Sequence, residues 1–400
     1  MDTIGRNLTV FRGHISIFRK NDYNEKKPCK GGVTMNGLPE QLAHQRMQPR
    51  ETDVRGDYFR DQTAIIHSTP FRRLKHKTQV FFAPENDHIC TRIEHVMHVA
   101  TVAATICRGL NHHGWQLDTE LAYAAGLGHD LGHAPFGHSG ERALAALTGA
   151  AGFEHELHSL RVVDLLARNG DGLNLTWAVR DAIVCHNGEG IDTRLMPDNT
   201  LRPPQEKRER SRIPATWEGC AVRFADKIAY LGRDIEDALL AGFITLSDVP
   251  DPIAQALGKT NGRIINSLVV DLIENSALRG ELGYSPEKLE LLTRLQEFNV
   301  HRIYLHPRLK EYERYCVNII RALHEYLCES YERWKQDPEN SRGEVETAFF
   351  GYLNDMQACY SRIGTSGPHR VTDYIAGMSD NYCLSCFEKI TLPQPISFKG

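Results

Sequence analysis

The chain has 400 residues, of which 41% are hydrophobic and 24% are charged, and its formal net charge is −4 at pH 7. This length allows a large buried core, in one domain or in two closely packed ones. The slightly negative charge excludes the global positive field of a typical nucleic-acid-binding protein. No uncharged apolar run is long enough to span a bilayer, so we expect no membrane partner. Ten scattered cysteines are typical of reduced thiols in a cytoplasmic protein rather than of a disulfide framework.

The first part of the chain carries few structural signals. Residues 1–34 include several basic side chains but no apolar segment of secretory type, and we interpret them as a flexible extension ahead of the internal Met35. Further on, the apolar spacing predicts a helix over residues 60–74 and a short strand-like segment over residues 78–82. The basic run 72–77 is either a solvated helix end or a contact for a polyanion.

A long amphipathic helix is predicted over residues 91–110. Arg92 and His95 are three positions apart and therefore lie on one face of this helix. A histidine in such a place is more often a core or surface residue than a metal ligand. His95 alone therefore indicates no site.

The stretch 126–141 concentrates three histidines, an aspartate and a glutamate within sixteen residues. The pattern predicts a helix that begins at the N-cap Thr119 and ends near Ala134, before a proline. On that helix His129 and His133 would lie on one face, since they are four positions apart. A second helix is predicted to begin near Ser139, which would leave His138 on the bend between the two helices.

The third informative helix is predicted over residues 217–241, where apolar residues cover one side. A buried carboxylate on such a helix needs a partner, because an unpaired buried charge is strongly unfavourable. Its polar stripe comprises Asp226, Tyr230, Arg233 and Asp237, with Asp234 beside them.

The remaining pattern is helical as well. Strand signals are nearly absent, so we predict an all-α fold with at most a short β-hairpin. The later helices are expected over residues 177–184, 262–278, 285–298, 314–334, 343–362 and 371–390.

Several of these stretches resemble one known family. Arg92-x-x-His95, His129-Asp130 and Asp226, in this order, resemble the metal motif of HD-domain phosphohydrolases. Longer stretches are similar to the dGTPase-like branch of the deoxynucleoside triphosphate triphosphohydrolases. They are RRLKHKTQVF (72–81), TRIEHVMHVA (91–100), HDLGHAPFGHSGE (129–141), FEHELHSLRVV (153–163), FADKIAYLGRDIEDA (224–238) and VTDYIAGMSDNY (371–382).

The resemblance implies the HD-domain phosphohydrolase fold with additional C-terminal helices. Its extent divides the chain into a partly flexible N-terminal extension over residues 1–54, a catalytic core over residues 55–245 and a C-terminal helical region over residues 246–400 that packs on the core.

The resemblance also implies a metal site. Its ligands would be His95, His129, Asp130 and Asp226. A mixed set of imidazoles and carboxylates suits an octahedral divalent ion such as Mn²⁺, Mg²⁺ or Fe²⁺. The sequence leaves open which ion binds and whether one ion or two are involved.

Further residues are implied to bind the substrate. Gln79, Tyr230 and Asp234 would line the deoxyribose, and Arg92 and Lys227 would contact the triphosphate. His133 is placed with this group, either touching the substrate or supporting the site, and His186 has the same two interpretations.

The implied catalytic residues are His138 with its partner Glu141, and His155. They would handle protons while a deoxynucleoside triphosphate (dNTP), dGTP or another, is hydrolysed to the deoxynucleoside and inorganic triphosphate. The sugar 5′-oxygen is a poor leaving group unless it is protonated, and histidine suits that task. The sequence does not decide which histidine is the acid, although we prefer His138.

The partners implied by the resemblance are the dNTP substrate and further copies of the chain in a homo-oligomer, with room for an allosteric dNTP or single-stranded nucleic acid. Two other functions compete. One is an HD phosphodiesterase or nucleotidase that acts on monophosphates or cyclic nucleotides. The other is a non-catalytic module that senses dNTPs or nucleic acid, against which the full set of ligands and proton-handling residues counts.

Overall fold

The all-α prediction is confirmed by the computed structural model, which describes residues 38–81, 88–149, 152–187, 190–206 and 212–393. The helical segments are α1 (Glu40–Ala43), α2 (Asp57–Ile66), α3 (Thr69–Arg73), α4 (Arg92–His112), α5 (Thr119–Gly128), α6 (Gly137–Thr148), α7 (His155–Arg161), α8 (Ala167–Gly170), α9 (Trp177–Cys185), α10 (Trp217–Leu240), α11 (Asp251–Ala256), α12 (Asn261–Arg279), α13 (Pro286–Asn299), α14 (Pro307–Gln336), α15 (Gly343–Ile363), α16 (Gly367–Ala376) and α17 (Asp380–Thr391).

Extended structure in the described residues is limited to two short strands and isolated bridges. The strands β1 (Arg194–Leu195) and β2 (Leu282–Gly283) pair antiparallel, with Leu195 opposite Leu282. They come from distant parts of the chain, so they do not form the hairpin that the sequence allowed. The predicted strand over residues 78–82 is reduced to one bridge between Thr78 and Thr91, and its last residue lies outside the described residues.

Three large clusters of buried apolar residues hold the helices together. The first joins one side of α10, including Phe224 and Ile228, to α4, α12 and α13. The second joins α5 to α2 and α9 through residues such as Leu127 and Ile183. The third joins α6 to the C-terminal helices α14 to α17. The helices that carry the predicted ligands therefore share cores with each other, and the C-terminal helices pack against α6.

The boundaries predicted for the central stretch were wrong. Helix α5 ends at Gly128 rather than near Ala134, and its N-cap is Asp118, whose Oδ1 accepts the amides of residues 120 and 121. The chain turns after Gly128 because Gly132 lies against the backbone of Ser159, where a Cβ would come within 2.2 Å of an amide nitrogen. Long-range packing, rather than the downstream proline, ends this helix.

The start predicted for the second helix was also wrong. Helix α6 begins at Gly137, directly after Phe136, which adopts a left-handed conformation with φ of 63°. His138 therefore lies in the first turn of α6 and not on a bend. Its place in a helix orients it towards Glu141, three positions later.

Two other predicted helices are each split. The helix expected over residues 60–74 breaks after Ile66 because the Ser68 Oγ accepts the Phe71 amide and so caps a new helix, α3. The helix expected over residues 371–390 breaks into α16 and α17, and Ser379 caps α17 by accepting the amide of Tyr382.

Helices with strong local signals lie close to the predicted positions. Helix α4 begins after Thr91, whose amide donates to Glu94 Oε2 at 2.8 Å in a capping box. Helix α13 begins after Ser285, whose Oγ accepts the Lys288 amide. Helix α10 spans Trp217–Leu240, one residue shorter than predicted.

Part of the predicted N-terminal extension packs on the helical core. Residues 1–37 lie outside the described residues. Arg46 donates to Asp61 Oδ1 at 2.5 Å and to the Asn174 carbonyl at 2.7 Å, and it also bridges to Thr176. Residues around Arg46 are therefore anchored to α2 and to the segment before α9.

None of the helices in the described part of the chain combines the length and apolarity of a bilayer-crossing segment. No disulfide joins any of the nine cysteines among the described residues, and Cys383 and Cys386, which form a Cys-x-x-Cys pair, are buried.

Candidate active site

Three of the four predicted metal ligands meet at one point between α4, the end of α5 and α10. His95 Nε2 lies 2.9 Å from Asp226 Oδ1, and His129 Nε2 lies 3.7 Å from the same oxygen. One ligand atom from each of the three residues lies within 4.8 Å of the others. This separation suits a group of side chains that share one divalent ion.

The hydrogen bonds of His129 fit the role of a metal ligand. His129 Nδ1 lies 2.7 Å from the Gly126 carbonyl, which can only accept, so Nδ1 carries the proton and Nε2 presents a lone pair. Within the described residues, buried Nε2 has no hydrogen-bond partner. Burial lowers the pKa of His129 and so favours the neutral form that a metal needs. The residues present therefore fit a divalent ion.

Asp130, the fourth predicted ligand, lies next to His129 but in a different group from His95 and Asp226. Its Oδ2 accepts a hydrogen bond from the Arg92 guanidinium and lies 3.7 Å from His129 Nε2. It groups with His129 and His186 rather than with His95 and Asp226. Although burial opposes ionisation, the Arg92 guanidinium holds the pKa of Asp130 well below its usual value, so this predicted ligand is an anion.

Arg92 is held firmly in the wall of the site. It is almost completely buried, and its second terminal nitrogen donates to the Thr78 carbonyl at 3.0 Å. Since Asp130 and Thr78 fix the guanidinium in one orientation, Arg92 offers an oriented positive charge to the adjoining cavity.

The predicted proton-handling residues are joined through Glu141. Its Oε2 lies 3.1 Å from His138 Nδ1, and its Oε1 accepts both the His155 amide at 3.0 Å and the proton of His155 Nδ1 at 2.8 Å. The His138 side chain is 61% exposed, whereas His155 is buried. The carboxylate thus links one buried and one accessible imidazole.

Charges around His155 keep it protonated. Burial opposes the charged form, but Glu141, Glu156 and Asp130 outweigh it and raise the pKa of His155 to about 10. His186 faces it, with the two Nε2 atoms 3.1 Å apart, and burial lowers the pKa of His186 to about 4. His155 therefore donates to His186, whose own Nδ1 donates to the Ile183 carbonyl at 2.7 Å.

His133 lies with His155 and His186 in a group of histidines next to Glu141. Its ring stacks on His155 with centroids 4.7 Å apart, and its Nε2 lies 3.8 Å from Glu141. Burial, Arg92 and His155 lower the pKa of His133 well below its usual value, so this ring is neutral. The expectation that His129 and His133 share a helix face was wrong, because α5 ends before either residue.

A cavity of about 610 Å³ opens directly over these groups. The predicted substrate residues Gln79, Lys227, Tyr230 and Asp234 line its wall, together with His133 and Arg92. Within the described residues the buried Oε1 of Gln79 has no hydrogen-bond partner. This side-chain oxygen is therefore available to a donor group of a ligand.

The far wall of the cavity comes from the C-terminal region and was not predicted from the sequence. Tyr304 donates its hydroxyl proton to Asp234 Oδ2, while burial raises the pKa of Asp234 to about 7. Lys310 and Tyr312, at the start of α14, also line the cavity. No local pattern marked these residues, because each is an ordinary polar or aromatic position on a helical segment.

Glu156 was also missed. It lies beside His155, with its Oε2 3.2 Å from His155 Nδ1, and its Oε1 lies 3.1 Å from Arg212. Its position next to His155 in the sequence was the only available signal. His186, for which two interpretations were open, lies at the centre of the buried histidine group.

Comparison with known proteins places this geometry in a class. Residues 92–231, which include His95, His129 and Asp226, match the HD domain family. These residues of the helical chain therefore form an HD domain.

Relatives extend the likeness beyond the HD domain. The chain is 36% identical over 348 residues to a deoxyguanosinetriphosphate triphosphohydrolase-like protein of Caldanaerobacter subterraneus subsp. tengcongensis, covering 87% of this chain and 88% of the relative. A protein of the same name from Clostridium perfringens strain SM101 is 35% identical, with 90% and 93% covered. One from Thiobacillus denitrificans is 33% identical, with 82% and 89% covered. The chain belongs to the family of deoxyguanosinetriphosphate triphosphohydrolase-like proteins.

Proposed function

We propose that this protein is a metal-dependent dNTP triphosphohydrolase that converts a dNTP to the deoxynucleoside and inorganic triphosphate. The observation that carries the proposal is the placement of the His95, His129 and Asp226 cluster next to the Glu141-linked histidines, under one cavity. The family relatives, whose name refers to deoxyguanosine triphosphate, support a nucleoside triphosphate as the substrate.

Under this proposal His95, His129, Asp130 and Asp226 hold one divalent ion, Mn²⁺, Mg²⁺ or Fe²⁺. When bound, such an ion lowers the pKa of a coordinated water and neutralises charge on a phosphoryl group. Arg92 and Lys227 line the same cavity and would neutralise the rest of the triphosphate.

His138 is the better placed of the two candidate acids. Both histidines line the cavity, but the His138 side chain is 61% exposed, whereas His155 is buried against Glu141, Glu156 and His186. His138 would donate a proton to the sugar 5′-oxygen as a water oxygen bonds to the α-phosphorus and the bond between that phosphorus and the 5′-oxygen breaks. Glu141 would keep the His138 ring oriented, with His155 on its other oxygen.

The remaining wall would bind the nucleoside. The unsatisfied Oε1 of Gln79 offers an acceptor for a sugar hydroxyl. Tyr230 and Asp234 line the same cavity, and Tyr304 donates a hydrogen bond to Asp234. Among the described residues no group in this wall commits the site to one base, so dGTP and other dNTPs are all candidate substrates.

The test is a panel of the four dNTPs, each incubated with the purified protein and Mn²⁺, Mg²⁺ or Fe²⁺ and analysed by ion-exchange chromatography. We expect equal amounts of deoxynucleoside and triphosphate. Release of pyrophosphate or orthophosphate instead would reject this chemistry. Turnover of 5′-monophosphates or cyclic nucleotides alone would favour a phosphodiesterase or nucleotidase. Tight dNTP or DNA binding without turnover would favour a sensing module.

A further inference from the structure

One carboxylate of the C-terminal region binds two separate backbone segments beside the cavity. Asp380, the first residue of α17, is buried. Its Oδ2 accepts hydrogen bonds from the Thr78 amide at 2.8 Å and from the Thr78 hydroxyl at 2.5 Å, and its Oδ1 accepts the Phe136 amide at 2.8 Å. These partners lie 302 and 244 positions away in the sequence.

Each of the two segments carries groups of the candidate active site. Thr78 precedes Gln79, and its carbonyl accepts the Arg92 guanidinium at 3.0 Å. Phe136 precedes Gly137 and His138 in the first turn of α6. Asp380 therefore connects the wall that contains Gln79 and Arg92 to the wall that contains the proposed acid.

The two segments approach each other closely at this point. Phe136 is a non-glycine residue in the left-handed region, with φ of 63°, which is unfavourable unless neighbouring contacts hold it. A Cβ on Gly137 would lie 3.0 Å from the Gln79 carbonyl oxygen. The bond from the Phe136 amide to Asp380 is a contact of the kind that holds such a conformation.

A second contact joins the same parts of the chain. The Lys77 ammonium donates to the His133 carbonyl and to the Ala376 carbonyl at the end of α16, the latter at 2.7 Å. Lys77, which the sequence placed in a basic run, is thus buried between the HD-motif loop, residues 129–136 between α5 and α6, and the C-terminal helices.

We infer that Asp380 is a positioning residue, which sets the separation between the Gln79–Arg92 wall and His138 by binding both Thr78 and Phe136. Its effect on turnover rests on the proposed triphosphohydrolase function. Its effect on the two backbone segments does not rest on that function. The effect on turnover and the effect on the segments can therefore be measured separately.

The chain offers a matched control for a buried carboxylate. Asp61 Oδ2 accepts the Thr176 amide at 2.9 Å and the Thr176 hydroxyl at 2.7 Å, as Asp380 does with Thr78. Asp61 is also buried and lies beside a basic residue, Arg46. Neither Asp61 nor its partners line the cavity.

The experiment compares Asp380→Asn with Asp61→Asn in the full chain, with amide hydrogen exchange, dNTP turnover and Mn²⁺ binding as readouts. For Asp380→Asn we expect faster exchange in peptides that contain Thr78 and Phe136. We expect kcat to fall about 10- to 100-fold, because small misplacements of reacting groups have effects of this size, with Mn²⁺ affinity within about threefold of wild type. Asp61→Asn should keep the wild-type kcat even if its melting temperature falls as far as that of Asp380→Asn.

Thr78→Val and Thr78→Ser provide a second pair in case Asp380→Asn does not fold. The valine removes the hydroxyl donor and should lower kcat. The serine keeps both the amide and the hydroxyl donor and should retain the wild-type kcat. Unchanged exchange at Thr78 and Phe136 in Asp380→Asn would overturn the inference whether or not the wild type releases triphosphate. An equal loss of kcat in Asp61→Asn would overturn it too, since the effect would then follow stability. Absence of triphosphate release from the wild type would count against the proposed function, and the exchange data would still decide whether Asp380 orders the two segments.

Discussion

His95 Nε2 and Asp226 Oδ1 lie 2.9 Å apart although 131 positions separate these residues in the sequence. The contact joins the first turn of α4 to the middle of α10, and both helices are fixed by a shared apolar core. Burial would raise the pKa of Asp226, but His95 and His129 lower it below its usual value, so the carboxylate remains ionised. The core thus holds an anion and two imidazoles together, as a divalent metal site requires.

The first prediction concerns metal binding. His129→Ala removes the imidazole whose Nε2 is buried without a hydrogen-bond partner in the described part of the chain. We expect Mn²⁺ affinity to fall by more than the roughly 10- to 100-fold loss that outer-shell changes cause, and turnover to be lost with it. Electron paramagnetic resonance of free Mn²⁺ during titration measures the affinity.

The control for this variant is His112→Ala, which removes an exposed imidazole at the other end of α4. It should leave Mn²⁺ binding unchanged. Wild-type Mn²⁺ affinity in His129→Ala would exclude His129 from the ligand set.

The second prediction separates proton transfer from metal binding. His138→Ala removes the accessible imidazole that Glu141 orients. We expect kcat to fall about 100- to 10,000-fold, the range that general acid catalysis contributes, while Mn²⁺ binding stays at the wild-type level. Triphosphate release and Mn²⁺ titration on the same preparation check both parts. His369→Ala, an exposed histidine on α16, is the matched control, and a full rate in His138→Ala would remove His138 from its proposed role.

How much of the fold could be predicted depended on how local the signal was. The positions of α4, α10 and α13 follow from apolar spacing and, at Ser285, from a capping residue, all of which lie within the helix itself. The end of α5 could not be predicted in this way. It depends on the close approach of Gly132 to Ser159, and the Gly132 amide donates to the Ser159 hydroxyl at 2.9 Å.

In the candidate site, too, residues in local motifs could be predicted and residues that act through long-range contacts could not. The resemblance carried by short motifs placed His95, His129 and Asp226 together, and the structure brings them together. Asp380 and Tyr304 were not identified as site residues, because their partners lie far away in the sequence. The family-like stretch 371–382 contains Asp380 but does not reveal which residues it contacts. The contacts between the C-terminal region and the HD-motif loop therefore could not be predicted from the sequence.

The third prediction concerns Asp373, to which the sequence assigned no role. Its two oxygens accept the Arg161 guanidinium at 2.8 and 2.7 Å and the Tyr360 hydroxyl at 3.1 Å, and His158 Nε2 lies 3.3 Å away. Asp373→Asn leaves Arg161, which is mostly buried, without its counter-charge. We expect the free energy of unfolding to fall by about 2–4 kcal/mol, somewhat less than the roughly 3–5 kcal/mol of a fully buried ion pair, because the Arg161 side chain is 26% exposed. Urea unfolding measures this change.

The comparison for Asp373 is the exposed pair formed by Lys389 and Glu344. Glu344→Gln should leave the free energy of unfolding unchanged within error, because exposed ion pairs contribute little. A similar small effect of Asp373→Asn would show that its four contacts are not important for stability.

The fourth prediction concerns the pH dependence of stability. Glu218, in the first turn of α10, is buried, and its Oε1 accepts the Asp118 amide at 2.8 Å. Burial raises the pKa of Glu218 from 4.5 to about 7. Between these two values the folded protein binds this proton more tightly than the unfolded chain does. The contribution of this group to the free energy of unfolding is therefore fully present below pH 4.5 and is lost as the pH rises through 7.

Glu218→Gln keeps an acceptor for the Asp118 amide and removes the charge. We expect the variant and the wild type to be equally stable at pH 4.5. At pH 8 the variant should be more stable by at most about 3 kcal/mol, the free energy that corresponds to the full pKa shift. Urea unfolding of both proteins at the two pH values measures the difference, and Glu290→Gln on the exposed surface of α13 controls for removing a carboxylate without burial. A difference between variant and wild type that is the same at both pH values would show that the pKa of Glu218 is the same in the folded and unfolded states, because only a pKa shift on folding makes the comparison depend on pH.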